Sequence, residues 1–464
     1  MKKFLKRILF AILALLLIAI TFLLITYPPI MAGMASKTMC SCVYVMGRSP
    51  ESVVNQELKV FPGLGMARLA LDYDDSTVEA TLFGRTKKSV FRKGLGCVLL
   101  AERSEEELRS QQINAPSLTA PVDQDTIYWP AGNKIDPKEM DSLIDKTLLS
   151  NAIDQAFKDI NADEPVRTHA VVVLYDGKLV AERYAEGLNY KSRLKGWSMT
   201  KTMTQAMIAV LVKNGKLRVE DPAPIQEWQN DPRKKITIDN LLKANSGLAW
   251  AESYFSPYAK FHQMFSRSDD KAAYAATLEL EYEPGTHFEY SSASTNLLSR
   301  IVRQTVGDHD YYHFPYDSIF NRVGMYSAII EPDAAGTFVG SSYGYASARD
   351  WARFGLLYLN DGVWNGERIL PEGWVKYSTT PSDAAPKGEY GAQIWLNAGS
   401  KNDPGQCNYP GLPHDAFVFQ GFEKNTVTVI PSHKLVVVRL GVTHSNNFDY
   451  TGLINGVIAS LPKK

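Results

Sequence analysis

Cysteine is scarce in this sequence, with four residues among 464, at positions 40, 42, 97 and 407. Cys40-Ser41-Cys42 has no matching Cys-x-x-Cys cluster, which excludes the usual four-thiolate zinc site. Histidine is equally thin, at eight residues, and the pair His309 and His313 lacks the glutamate of a helical zinc-protease motif and is followed by Pro315. No metal and no cofactor are expected. Charge of one sign is lacking as well: 50 Lys and Arg balance 50 Asp and Glu. A zero formal charge gives no basic excess for nucleic acid and no acidic run for a solvating tail. Repeats and low-complexity tracts are absent. What remains is an ordinary globular composition, 45% hydrophobic and 22% charged, long enough to bury a full core.

Long hydrophobic runs are limited to one. Lys2, Lys3, Lys6 and Arg7 precede an apolar stretch from Ile8 to Ile25, and Tyr27-Pro28-Pro29 follows. Eighteen residues sit within the span of about 17–25 that crosses a bilayer and exceed the about 7–15 of a leader core. The length favours a retained transmembrane helix over a leader cleaved near Ala32 or Ala35. The cations lie before the run, so the positive-inside rule puts the N-terminus in the cytoplasm and the remainder outside. In that compartment disulfides persist. Cys40 and Cys42 are too close to bridge each other comfortably, so Cys97 is expected to pair with one of them.

Three regions follow from the pattern: 1–35 as cytoplasmic flank and anchor, 36–135 as a small strand-rich region with a linker over 104–125, and 136–464 as the main domain. The first two carry no recognisable chemistry. A helix is expected over Met140–Ile160, then a hairpin in which Asp176-Gly177 joins two β-branched runs, a turn that needs positive φ at both positions. The middle, about 198–380, reads as mostly helix and loop. Strands return over Ala392–Leu396, Asp415–Gln420, Thr426–Ile430 and Lys434–Leu440, and a helix closes the chain. Strands from both ends around a helical middle imply an α/β (α+β) fold: one antiparallel sheet flanked by helices.

Ser198-Met-Thr-Lys201 opens a helical pattern and puts Ser198 and Lys201 on one face, one turn apart. A helix N-terminus favours an oxyanion at the serine, and burial disfavours the lysine's proton, so Lys201 can act as base toward Ser198. Tyr290-Ser291-Ser292 precedes another helix, where Tyr290 could move protons to a leaving group. Phe419-Gln420-Gly421-Phe422 falls on a strand edge; Gly421 would let substrate approach the backbone. The N–H groups of Phe422 and Ser198 would form an oxyanion hole.

This ordered set resembles the serine β-lactamase and penicillin-binding-protein superfamily, and more closely its class C-like esterase, carboxypeptidase and 6-aminohexanoate-dimer hydrolase branch. Asn245–Tyr254, Tyr343–Gly355 and Val427–Arg439 resemble that branch too. The resemblance covers about 140–464. It implies a β-lactamase-like sheet plus an all-helical lobe, with the site between them. It also implies an acyl-enzyme on Ser198 with Lys201 and Tyr290 as proton-transfer partners. Ser292 stands where asparagine is frequent, and Phe419-Gln420-Gly421 replaces the Lys-Thr-Gly that meets a substrate carboxylate. Small-molecule esters or short amides are therefore expected substrates in place of β-lactams. Ser292, Gln420, Gly421, Trp250 and Tyr254 are the expected substrate contacts.

Two other readings compete. Gly340-Ser-Ser342-Tyr-Gly344, with Asp415 and His444 in order, fits an α/β-hydrolase elbow if a strand, sharp turn and helix surround Ser342. The scaffold could also bind a ligand, as a penicillin-recognising or sensor protein, without turnover.

Overall fold

The structure is a computed structural model. It describes residues 2–464 except 62, 137–142, 160, 162–164, 255, 445–447 and 463–464, and leaves the side chains of 2, 11 and 15–24 undescribed. Its centre is a six-stranded antiparallel sheet ordered Trp395–Leu396, Phe417–Gly421, Asn425–Ile430, Leu435–Gly441, Thr168–Tyr175, Lys178–Tyr184. The sheet is assembled from both ends of the domain, as the strand pattern implies. Asp176 and Gly177 both take positive φ, 49° and 79°, and close the expected hairpin.

Alternation along Thr168–Tyr175 sets the layers. Ala170, Val172 and Leu174 enter the large core, while Val171 and Val173 point to the opposite face. Helices Lys146–Phe157 and Tyr450–Ser460 cover that second face through Leu149, Ile153, Leu453 and Ile454. Helix Ala348–Leu359 covers the first so closely that a Cβ on Gly355 would lie 2.7 Å from Val427 and Val436. The helix expected over Met140–Ile160 is shorter because Asp145 caps it, its carboxylate accepting the N–H groups of Thr147 and Leu148. Residues 140–142 and 160 of that expectation lie outside the described residues.

The middle is not only helix and loop. Arg193–Trp197, Gly344–Ser347 and Ile329–Ile330 form a three-stranded sheet, beside which Thr200–Lys213 and Ser292–Val306 pack as the main helices of the helical lobe.

The N-terminal region differs from expectation in its boundary. The first helix, Lys2–Cys40, runs through Pro28 and Pro29 and past residue 35. Met31, Ala32, Ala35 and Met39 are buried against Val78, Ala80 and Leu82 of a four-stranded antiparallel sheet, Arg68–Asp72, Thr77–Leu82, Arg85–Arg92 and Gly96–Leu99. Cys40 bridges Cys97, leaving Cys42 and Cys407 as free thiols. Among the described residues no helix is long and apolar enough to cross a membrane. The expected anchor, Ile8–Ile25, includes residues 11 and 15–24, whose side chains lie outside the described residues.

Candidate active site

Strand Arg193–Trp197 leads directly into Ser198, and helix Thr200–Lys213 begins two residues later. The turn is tight: Trp197 has φ of 50°, a left-handed conformation disfavoured for a bulky residue. Thr200 holds it, its hydroxyl donating to the Trp197 carbonyl at 2.6 Å and accepting the Gly344 N–H at 2.8 Å. Two glycines permit the packing. A Cβ on Gly196 would lie 2.3 Å from the Trp351 ring, and one on Gly421 would lie 2.1 Å from the Gly196 carbonyl oxygen. Gly421 was expected to admit substrate to the backbone. Its missing side chain instead admits the strand that carries Ser198.

Lys201 is buried on the first turn of that helix. Its ammonium lies 3.3 Å from Ser198 Oγ, 2.9 Å from Ser292 Oγ and 3.0 Å from the Ser341 carbonyl. Burial lowers its pKa to about 8, opposed by the negative charge of Glu252. Tyr290 hydrogen-bonds the Ser198 side chain, and its ring centroid lies 4.9 Å from the Lys201 ammonium. Burial pushes the Tyr290 phenol well above its ordinary range, so it stays protonated. Ser198, Lys201 and Tyr290 thus meet as a group able to move one proton.

Ser292 was expected to face the substrate, but it is turned inward. It accepts from Lys201 and donates to Glu252 Oε1 at 2.6 Å, while its N–H donates to Glu252 Oε2 at 3.0 Å. Trp250 Nε1 donates to the same carboxylate at 2.7 Å and the Tyr254 hydroxyl at 3.3 Å. Glu252 therefore gathers three residues read as substrate contacts, and sequence reasoning missed it. Its place inside the matched stretch Asn245–Tyr254, between Trp250 and Tyr254, is the one local signal that could have found it. Gln420 also points to protein, its side-chain oxygen accepting from the Tyr409 hydroxyl.

Phe422 follows Gly421 at a short turn, with its ring stacked on Phe61 at 5.9 Å and set edge-on to Trp197 at 5.6 Å. Arg439 supports the turn by donating to the Glu423 carbonyl at 2.9 Å. Phe422, Ser198, Glu252 and Tyr254 line one cavity of about 60 Å³. Gly33, Met34, Lys37, Phe61 and Leu99 line it too, so the N-terminal region, read as free of chemistry, supplies a wall. Lys37 fixes that wall by pairing with Glu331, which also accepts from Ser41 at 2.9 Å and the Cys97 N–H at 2.7 Å.

The elbow reading of Ser342 fails on context. Ser342 precedes the antiparallel strand Gly344–Ser347 and no helix follows it directly. Asp415 bonds Ser432, and His444 faces Glu423 at 3.9 Å, so the two are apart from Ser342. Among the described residues no group of three or more His, Cys, Asp or Glu could hold a metal.

Comparison with known proteins bears on the family and the fold. The 6-aminohexanoate-dimer hydrolase of Paenarthrobacter ureafaciens is 24% identical over 272 residues, covering 52% of this chain and 67% of that protein. A solved Bacillus anthracis structure assigned as a 6-aminohexanoate-dimer hydrolase shares 25% identity with a TM-score of 0.53, over 64% of this chain and 81% of that one. The fold also matches a family VIII carboxylesterase, with 15% identity and a TM-score of 0.53 over 68% and 97% of the two chains. The Beta-lactamase family profile matches residues 153–452, and the chain belongs to that family.

Proposed function

We propose that this hydrolase cleaves a small ester or short amide through an acyl-enzyme on Ser198. Neutral Lys201 removes the Ser198 proton as its oxygen attacks the carbonyl. Tyr290, protonated and hydrogen-bonded to Ser198, passes a proton to the leaving group. The N–H groups of Ser198 and Phe422 hold the tetrahedral oxyanion, and water then releases the acid. The observation that carries this reading is the Lys201 ammonium, 3.3 Å from Ser198 Oγ, buried, and bonded to hydroxyl and carbonyl oxygens with no carboxylate. That environment favours the neutral base. Relatives described as an amide-type oligomer hydrolase and a carboxylesterase support the substrate class.

The placement we infer is extracytoplasmic, with the apolar run Ile8–Ile25 as a membrane tether. The cationic flank before the run and the Cys40–Cys97 bridge, suited to an oxidising compartment, support it. A periplasmic or extracellular reporter fused after Lys464 should be active, and activity confined to a cytoplasmic reporter would refute the topology. The chemistry is tested with a panel of 4-nitrophenyl esters, anilides and β-lactams. Turnover of esters or anilides that Ser198→Ala abolishes is expected. Ligand binding with no turnover of any member would favour the sensor reading.

A further inference from the structure

Lys195 occupies the same strand as the turn that presents Ser198, three residues ahead of it, and lines the same cavity. The other lysine that lines it, Lys37, is answered by Glu331 and Ser41; Lys201, which does not line it, is answered by Ser198, Ser292 and the Ser341 carbonyl. Among the described residues Lys195 has neither a hydrogen bond nor an ion pair. Its ammonium lies 3.3 Å from the Trp197 ring centroid and 5.2 Å from that of Tyr343. Glu423, the acidic neighbour, accepts from Trp197 Nε1 at 2.7 Å through one oxygen and leaves the other unbonded.

The aromatic faces attract the cation but offer it no hydrogen-bond acceptor, and Lys195 is only partly buried where it lines the cavity. An anion entering the cavity would supply the missing acceptor. Besides Lys37, Thr38, Ser266 and Ser342, much of the lining is apolar: Met34, Phe61, Leu99, Phe261, Phe265 and Phe422. Glu252 also lines the space, but Ser292, Trp250 and Tyr254 occupy its oxygens. Tyr290 does not line the cavity; it packs against Tyr390 and Trp395. Because Tyr290, the group proposed to protonate the departing half, is not among the lining residues, the cavity is assigned to the acyl half.

We propose that Lys195 binds a carboxylate at the end of a short apolar acyl chain, so that the preferred substrates are esters or amides of ω-carboxyacyl groups. The assignment rests on Ser198 as nucleophile for its catalytic meaning, but not for the binding itself. Lys195 itself lies within the segment shared with the family, 153–452, whereas the wall from residues 33–99 that closes the cavity lies outside it.

The test compares 4-nitrophenyl glutarate monoester with 4-nitrophenyl pentanoate, matched in chain length. Rates are normalised to the fraction of sites that a fluorophosphonate titrates. Wild type should favour the glutarate ester in kcat/KM, Lys195→Met should lower that ratio at least tenfold, and Lys195→Arg should keep most of it. A wild-type ratio at or below one, or a ratio unmoved in Lys195→Met, would overturn the proposal. Glutarate binding to Ser198→Ala, measured by calorimetry, reads the same site without turnover. At least tenfold weaker binding is expected when Lys195→Met is added, with folding checked by circular dichroism. Unchanged or undetectable binding in both counts against Lys195. Retained turnover in Ser198→Ala would instead remove the nucleophile assignment, while the binding result still decides the role of Lys195.

Discussion

Residues 146–460 hold a six-stranded sheet with helices on both faces, whereas residues 26–99 hold four short strands packed against the end of one helix. The larger unit buries its own core and contains the whole proton-transfer group. The smaller has little apolar surface to bury and is tied down by the Cys40–Cys97 bridge and the buried Lys37–Glu331 pair. Yet both line the cavity beside Ser198. The contrast supports the proposal that the family domain supplies the chemistry and the N-terminal region shapes what reaches it.

Substitutions can break that division. Removing Ser198 or Lys201 should have the largest effect, because groups that act as a unit fail together; Ser198→Ala should lower kcat roughly 10⁶-fold and Lys201→Ala nearly as much. Stopped-flow ester hydrolysis on purified protein checks this. Next comes Gly421→Val, whose added Cβ would meet the Gly196 carbonyl at 2.1 Å and displace the turn that presents Ser198. A fall of about 10²–10³ in kcat is expected, comparable to losing an oxyanion donor.

Glu252→Gln should act more gently and more informatively. Glu252 raises the Lys201 pKa against the larger effect of burial, which sets it at about 8. Without that charge the pKa falls, so the rising limb of kcat/KM against pH should move to lower pH, with about a tenfold loss of rate from weaker positioning. A profile that does not move would mean that Glu252 is only structural.

The smallest effect on turnover of a short ester should come from Cys40→Ala with Cys97→Ala. The bridge closes a separation of 57 residues. In a loop-entropy treatment it contributes about 4 kcal/mol to the N-terminal region. Thermal unfolding should show that region melting earlier, while Ser198 in the hydrolase domain still turns over the short ester. Equal loss of both would mean that the two units fold as one.

How much of this was legible in the sequence follows the same division. That Ser198, Lys201 and Tyr290 lie close together was legible because one helical turn fixes the first two and a short motif before a second helix marks the third; their catalytic roles remain a proposal. The antiparallel sheet was readable from continuous β-branched runs such as Ala170–Leu174. Ser292 was misread because its direction depends on Glu252, forty residues earlier, which only tertiary packing brings beneath it. Gly421 was tied to substrate because its true neighbour, Gly196, is more than two hundred residues away in sequence. Met34, Lys37 and Leu99 carry no local pattern that points to Ser198, 99 or more positions downstream.

The central claim is that Lys201, neutral when active, takes the proton from Ser198. Labelling by a fluorophosphonate, followed across pH and mapped by peptide mass spectrometry, tests it most directly. The account predicts one adduct, on Ser198, forming faster as pH rises and reaching half its limiting rate near the Lys201 pKa of about 8. An adduct on Ser342, or a Ser198 labelling rate that does not change with pH, would contradict it.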